Sequence, residues 1–325
     1  MASLVFKKVY LNSYFTVVGP LEKESHLKRY NLAMNDYYYG TKTFEQAEIK
    51  MQRVAIENLL KTNCLDNSNI NVIVGGDLTN QIAVTSYAVK KYNIPFLGIY
   101  SACATFTESI IVLSSLIDGN FIKKGISSIS SHNLTAEKQF RYPVEYGSPK
   151  PHTATFTTTG SVASLITKDE GGIRIESATI GRVVDLDIKD ANHLGAAMAP
   201  AAAEVIFEHL NELNRSYNYY DLILTGDLGC IGSKIMLEYM EKTYGIILKN
   251  HKDAGCMLYL DSQDTYAGGS GPACLPVVLY NMILTNKKYK RILIVATGAL
   301  HSPVMVNQKS SIPGIAHAVS LEVLS

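Results

Sequence analysis

A cysteine stands at position 103 inside IYSACATFTESI (residues 99–110), where a short apolar run ends and an amphipathic one begins. Such a change of pattern marks a strand handing over to a helix. The first amide N–H groups of a helix have no partner within it, and the helix dipole favours negative charge there. A cysteine so placed reads as a nucleophile favoured as its thiolate. Nucleophilic chemistry also needs a base and donors for an oxyanion, each donor being worth about 3–4 kcal/mol of barrier.

Other residues offer chemistry of the same kind. His132, followed by Asn133 in SSHNLT, comes after a strand expected to end beside Cys103; it reads as a carboxylate donor or as a structural histidine. Asp77 and Asp227 each sit in a Gly-Asp-Leu triplet that closes an apolar run. A carboxylate there serves a hard cation or a pocket donor, or it caps the next helix or ties the two halves together. Arg141, Tyr142 and Glu145 in FRYPVEYG form a polar, aromatic segment: arginine suits a carboxylate, tyrosine suits stacking on a flat ring, and loop packing is the other reading. His301 and Ser302 in GALHSP occupy the equivalent of the SSHN run further along the chain, and Gly269 and Ser270 lie in GGSGPACLP. Cys274 reads as core, and the tyrosines at 37–39 as either an exposed patch or loop packing.

The elements that must position these residues come in two copies. INVIVGGDLTNQ (70–81) and YDLILTGDLGCIGS (220–233) share an apolar run and the Gly-Asp-Leu that follows, with Asp77 and Asp227 150 residues apart. Each copy opens with a strand-like segment (9–19 and 173–184) and continues into an amphipathic helix. Ala47, Met51, Val54, Ala55 and Leu59 share one face of the first, and Val205, Ile206, His209, Leu210 and Leu213 one face of the second. After each Gly-Asp-Leu strand come a helix (80–91 and 231–244), a strand (IPFLGIY and CMLYL) and a third helix (103–118 and about 271–285). Strands GISSIS and RILIVATG, then 152–167 and 312–324, close the copies. This alternation predicts an α/β fold of two βαβαβαββ halves, 1–170 and 171–325, with mostly parallel sheets covered on both faces. The two third helices are expected back to back at the centre.

Composition narrows the function. Apolar residues make up 47% and charged residues 18% of 325, with a net charge of +1 and no basic block, which argues against nucleic acid as a partner. No apolar stretch approaches the 18 residues of a membrane span, and the N-terminal apolar core is too short for a signal peptide. Five scattered cysteines (64, 103, 230, 256 and 274) without a CxxC pair fit free thiols in a reducing, intracellular setting, and argue against a disulfide framework or a zinc site.

ACATFT at 102–107 resembles the nucleophile turn of thiolase-fold enzymes, which are built as two such halves in five αβαβα layers and are commonly dimers. Over nearly the whole chain, GGDLTNQ, SSHNLTAEKQFRYPVEYG, TIGRVVDLDI, GAAMAPAAA, ILTGDLG, AGGSGPAC, VATGALHSP and SIPGIAHAV together resemble the stage V sporulation protein AD family, the thiolase-like member of the SpoVA set. The resemblance implies binding of dipicolinic acid, with calcium only as the ion this ligand chelates and no cofactor of the protein's own. It also implies a homodimer, and a location peripheral to the forespore or spore inner membrane beside the other SpoVA membrane proteins. Set against the condensing enzymes, the slots of their catalytic histidine and asparagine fall at Gly226 and Gly269, and IPGIAHAV holds Gly314 and His317 but not the second cysteine of biosynthetic thiolases. Two missing donors would cost roughly 5–8 kcal/mol of barrier. The expectation is a degenerate site in which the helix start at Cys103 receives a ligand carboxylate, lined by Cys103, His132, Asn133, Asp77, Arg141, Tyr142, Asp227, Gly269, Ser270 and His301. The alternatives are an acyl-thioester enzyme using Cys103 and an assembly scaffold with an unused pocket.

Overall fold

The computed structural model describes residues 1–141 and 150–324. In the first half, strands β1 (Ala2–Val5), β2 (Tyr10–Val18), β3 (Leu32–Ala33), β4 (Val72–Gly76), β5 (Phe96–Gly98), β6 (Lys124–Ser131), β7 (Phe156–Thr157) and β8 (Gly160–Thr167) are interspersed with helices α1 (Pro20–Lys23), α2 (Phe44–Thr62), α3 (Ala83–Val89), α4 (Thr105–Asp118) and α5 (Asn133–Phe140). The second half carries strands β9 (Ile173–Ile180), β10 (Leu222–Thr225), β11 (His251–Asp253), β12 (Gly269–Ser270), β13 (Arg291–Ala299) and β14 (Gly314–Val323). Its helices are α6 (Leu194–Glu212), α7 (Gly229–Tyr244), α8 (Ala254–Leu258), α9 (Cys274–Val278), which runs on into a π-helical turn Leu279–Ile283, and α10 (Pro303–Asn307).

The strand order makes the duplication visible. The first half reads β5-β4-β6-β8-β2 and the second β11-β10-β13-β14-β9. In both, the first three strands are parallel and the last two antiparallel to their neighbours. A short antiparallel pairing, Tyr10 with Arg174 and Leu11 with Ile173, joins the two sheets. Every residue of β4 (VIVGG) and β10 (LILT) is buried, as expected of parallel strands covered on both faces.

Three cores define five layers. Ala47, Met51, Ala55, Ile56 and Leu59 of α2 pack on the outer face of the first sheet. Ala197, Ala201, Val205 and Ile206 of α6 do the same for the second. The middle layer holds α4 and α9 between the sheets: Phe106, Ile110, Leu113 and Ile117 meet Leu275, Val277, Val278 and Tyr280. A helix with sheets on both sides keeps little of its surface in solvent, which is why α4 is buried nearly all round and most of its polar positions carry small Ser or Thr. The GAAMAPAAA run works by being small: a Cβ built at Gly232 of α7 would lie 2.7 Å from the Gly195 Cα, so the two helices touch backbone to backbone.

The second copy departs from its sequence pattern in one place. CMLYL is not a strand; HKD (251–253) is β11, and Cys256–Leu258 belong to α8. Asp253 caps that helix through the Cys256 amide (3.0 Å), and a short apolar run flanked by such a cap has no periodicity to separate strand from buried helix.

Candidate functional site

The turn into α4 is strained and pinned. Ala102 adopts φ 49°, unusual for a residue with a side chain and costing about 1–2 kcal/mol. It is held by packing against Leu78 and Ala136. Thr105 locks the turn from inside, its hydroxyl donating to the Ala102 carbonyl (2.7 Å) and accepting from the Ser101 amide (3.0 Å). The Ala-Cys-Ala-x-Phe-Thr pattern thus has a mechanical reason: Thr105 fixes the loop, Phe106 anchors the helix in the core, and Cys103 is left partly exposed at the floor of a cavity.

That cavity is narrow and partly open, with about 80 Å³ of solvent-accessible space. Its polar lining comes from four places: Cys103, Glu137 and Arg141 at the end of α5, Asn192 before α6, and Thr157 with Ser270 where β7 pairs with β12 across the two halves. Tyr100, Phe140 and His301 stand towards its mouth, where they also border an outer depression formed by Thr79, Asn80, Gln81, Ser302 and Pro303. The Phe140 and His301 rings stack, centroids 5.2 Å apart. Arg141 is oriented by a hydrogen bond from Nη2 to Asn192 Oδ1. Lys150 pairs with Glu137 at 2.6 Å and answers its charge. Burial, and then the neighbouring Arg141, hold the His301 pKa below that of an ordinary imidazole, so His301 enters the cavity neutral near pH 7.

The same electrostatics correct the expectation of a thiolate. Burial raises the Cys103 thiol well above its ordinary range, and the Asp227 carboxyl adds to the rise; the Gly271 and Cys103 backbone contacts only oppose it. Cys103 therefore stands as a neutral thiol. Gly271 approaches with φ 96°, and a Cβ there would lie 2.9 Å from Ser131 Oγ, so only glycine brings an amide to this spot.

Of the residues expected at the site, Cys103, Arg141, Ser270 and His301 line the cavity. His132 does not. Its Nε2–H donates to the Tyr37 carbonyl (2.8 Å) and its Nδ1 accepts from the Leu134 amide (3.2 Å), which fixes a neutral ring that caps α5. Asn133 binds backbone, its Nδ2 donating to the Thr157 carbonyl. Asp77 is a capping residue: it accepts from the amides of Thr79 and Thr85, both at 2.7 Å, and from both hydroxyls. Asp227 is fully buried with no hydrogen-bond partner on either oxygen, and burial together with Asp253 raises its pKa well above the carboxylate range. In the second half the capping falls instead to Asp253, which accepts from Thr225 Oγ1 and the amides of Leu228, Gly229 and Cys256. Tyr142 and Glu145 lie outside the described residues. The tyrosines at 37–39 mostly pack: Tyr37 on His132, Tyr38 on Phe44, Tyr39 under Lys50.

Neither glycine slot opens onto the cavity. A Cβ at Gly226 would meet Leu275 at 3.1 Å, and one at Gly269 would meet Cys274, Thr158 and Tyr259 at the same distance. At both positions a side chain would press on a packed neighbour. Among the described residues, no cluster of three or more His, Cys, Asp or Glu forms a metal-binding group.

Tyr100, Phe140, Asn192 and Thr157 escaped sequence reasoning. Asn192 sits in the loop just ahead of the GAAMAP run, and Thr157 ends the two-residue strand β7; only the packing of the two halves aims both at one cavity.

A family model described as stage V sporulation protein AD matches residues 2–322. The chain belongs to the stage V sporulation protein AD family. It is 43% identical over 318 residues to stage V sporulation protein AD of Bacillus subtilis (strain 168), covering 97% of this chain and 94% of that protein. Among solved structures it is similar to cerulenin-bound OleA of Xanthomonas campestris (TM-score 0.64, 14% identity, 98% of both chains). It is also similar to 3-oxoacyl-[acyl-carrier-protein] synthase III of Aquifex aeolicus VF5 (TM-score 0.56, 13% identity, 99% and 100% of the chains). These likenesses establish the thiolase-type fold. No helix among the described residues is long and apolar enough to cross a membrane.

Proposed function

We propose that the cavity above Cys103 binds dipicolinate, free or as its calcium chelate, without catalysis, in the service of the sporulation SpoVA system. The observation that carries the reading is the cavity's chemistry: a guanidinium on one wall (Arg141), hydroxyl and amide donors on the others (Ser270, Thr157, Asn192), and aromatic rings at the mouth (Tyr100, Phe140). A flat aromatic dicarboxylate wants that combination, charge-assisted hydrogen bonds at its oxygens and stacking on its ring. The core side chains packed at the Gly226 and Gly269 slots and a thiol raised by burial at Cys103 support a role without catalysis. A homodimer and docking on the SpoVA membrane proteins belong to the same proposal, supported by the family resemblance. Calorimetric titration of the full chain with dipicolinate, with and without calcium, tests it; saturable heat supports it, and no heat at millimolar ligand overturns it.

A second reading has one observation in its favour: Cys103 shares its cavity with His301 and Asn192, the types of residue that condensing enzymes use. Incubation with acyl-CoA would then leave an acyl adduct on Cys103 by mass spectrometry.

A further inference from the structure

The sequence offered five cysteines and no pattern; the fold pairs two of them. Cys230, in the first turn of α7, is bonded to Cys256, in the first turn of α8, with their Cα atoms 4.7 Å apart and a sequence separation of 26. Cys256 is exposed and Cys230 half-buried, so the bond is open to reagents in solution. The remaining thiols differ in setting: Cys64 is exposed, Cys103 partly exposed and Cys274 buried.

The bond lies beside a junction already tied by hydrogen bonds. Asp253 holds the amides of Leu228 (3.2 Å) and Gly229 (3.0 Å) at the start of α7, and that of Cys256 (3.0 Å) at the start of α8. A fold held there by Asp253 does not depend on the disulfide to form. From the same turn a short path leads to the cavity wall. The Cys230 amide donates to the Ala267 carbonyl (2.7 Å), and the Ala267 amide donates to the Ala154 carbonyl (2.8 Å). Ala154 and Thr155 line the cavity. Gly229, at φ 65°, presses on this path, since a Cβ there would lie 2.5 Å from the Ala267 oxygen and 3.3 Å from Thr155 Cγ2. The equivalent turn of the first half, Thr79–Ile82, has no such brace and borders the cavity's outer depression.

We propose that Cys230 and Cys256 form a reversible thiol–disulfide site, closed by exchange with a low-molecular-weight disulfide, whose closed form braces the Ala154–Thr155 wall of the cavity. Chemically, the Cys256 thiolate attacks one sulfur of the small disulfide and releases one small thiol. The Cys230 thiolate then attacks the Cys256 sulfur and releases the second. The two protein thiols are oxidised by two electrons, the small disulfide is reduced to two thiols, and the two protons pass to the released thiols. The site exists whatever the cavity holds; only its effect on ligand binding rests on the dipicolinate reading.

The full chain is equilibrated with oxidised or reduced glutathione, denatured in acid and alkylated. Three alkylated cysteines after oxidation and five after reduction, with a peptide linking residues 230 and 256, support the proposal. Five in both states, or a link to any other cysteine, overturn it. Amide hydrogen exchange then reads the brace: at least a tenfold faster exchange around 153–156 and 265–268 on reduction is expected, and unchanged exchange there overturns the coupling. Cys256→Ser should exchange like the reduced protein in both buffers; if it does not fold, Cys230→Ala serves the same purpose. Dipicolinate titration of both forms separates the two claims. Binding to neither form, alongside redox-dependent exchange, refutes the ligand and leaves the redox site standing.

Discussion

Replacing Glu48 with glutamine should make the protein less sensitive to alkaline pH, and the size of the effect follows from the surroundings of one carboxyl group. Glu48 lies on α2 with 1% of its surface exposed. It accepts from Ser130 Oγ at 2.7 Å. Gln52 ties the network together, donating to Ser130 Oγ (2.8 Å) and to Thr85 Oγ1 (2.9 Å), and Thr85 Oγ1 donates to Asp77 (2.6 Å). Burial, and then the charge of Asp77, push the Glu48 pKa from 4.5 to about 8. A carboxyl group raised on folding binds its proton more tightly in the native state than in the unfolded one. Its contribution to stability is complete below pH 4.5 and is lost as pH climbs towards 8. The gap is worth about 5 kcal/mol at about 1.36 kcal/mol per pH unit, and relaxation of the site would reduce the observed part to about 2–4 kcal/mol. Glutamine has nearly the same shape, keeps an oxygen for Ser130 and does not titrate. Urea unfolding of Glu48→Gln and the parent at pH 5 and pH 9 should give similar stabilities at pH 5, with the variant ahead by about 2–4 kcal/mol at pH 9. Buried Glu22 and Asp253 titrate in both proteins and cancel in the comparison. Parallel pH profiles would refute the reasoning.

Arg141→Gln should weaken dipicolinate binding by about 10- to 150-fold in calorimetry, the equivalent of about 1.5–3 kcal/mol for a lost charge-assisted bond, while unfolding stability stays the same. Cys103 should react with iodoacetamide more slowly at pH 7 than exposed Cys64, with a rate still climbing at pH 9.5; a plateau below pH 8 would contradict the neutral thiol. Gly271→Ala should cost about 1–3 kcal/mol in urea unfolding, because φ 96° and Ser131 both oppose a side chain there. Parent-like stability would show that the turn has room to move.

The architecture was legible because burial on both faces writes itself into composition. VIVGG and LILT read as central strands, and Gly-Asp-Leu marked where each ends. The site was less legible, for reasons that differ by residue. Asp77 and Asp227 share a triplet and a strand position, yet threonines at 79 and 85 satisfy the first, whereas the second half supplies Asp253 for the same task and leaves Asp227 bare. His132 carries the chemistry of a ligand donor, but both its ring nitrogens are spent on Tyr37 and Leu134. Nothing local announces either fact. Cys230 and Cys256 are likewise far apart in the chain, and only the parallel pairing of β10 with β11 sets the helices that follow them side by side. Arg141 and His301 each lie just beyond an element whose end faces the cavity, and Ser270 is the last residue of one.

The central claim is that this cavity is a carboxylate site. A crystal structure of the full chain with dipicolinate tests it most directly. The ligand is expected above Cys103, with one carboxylate on Arg141 and its ring beside Phe140 and Tyr100. Ligand bound elsewhere, or a cavity that stays free of it at saturating concentration, would contradict it.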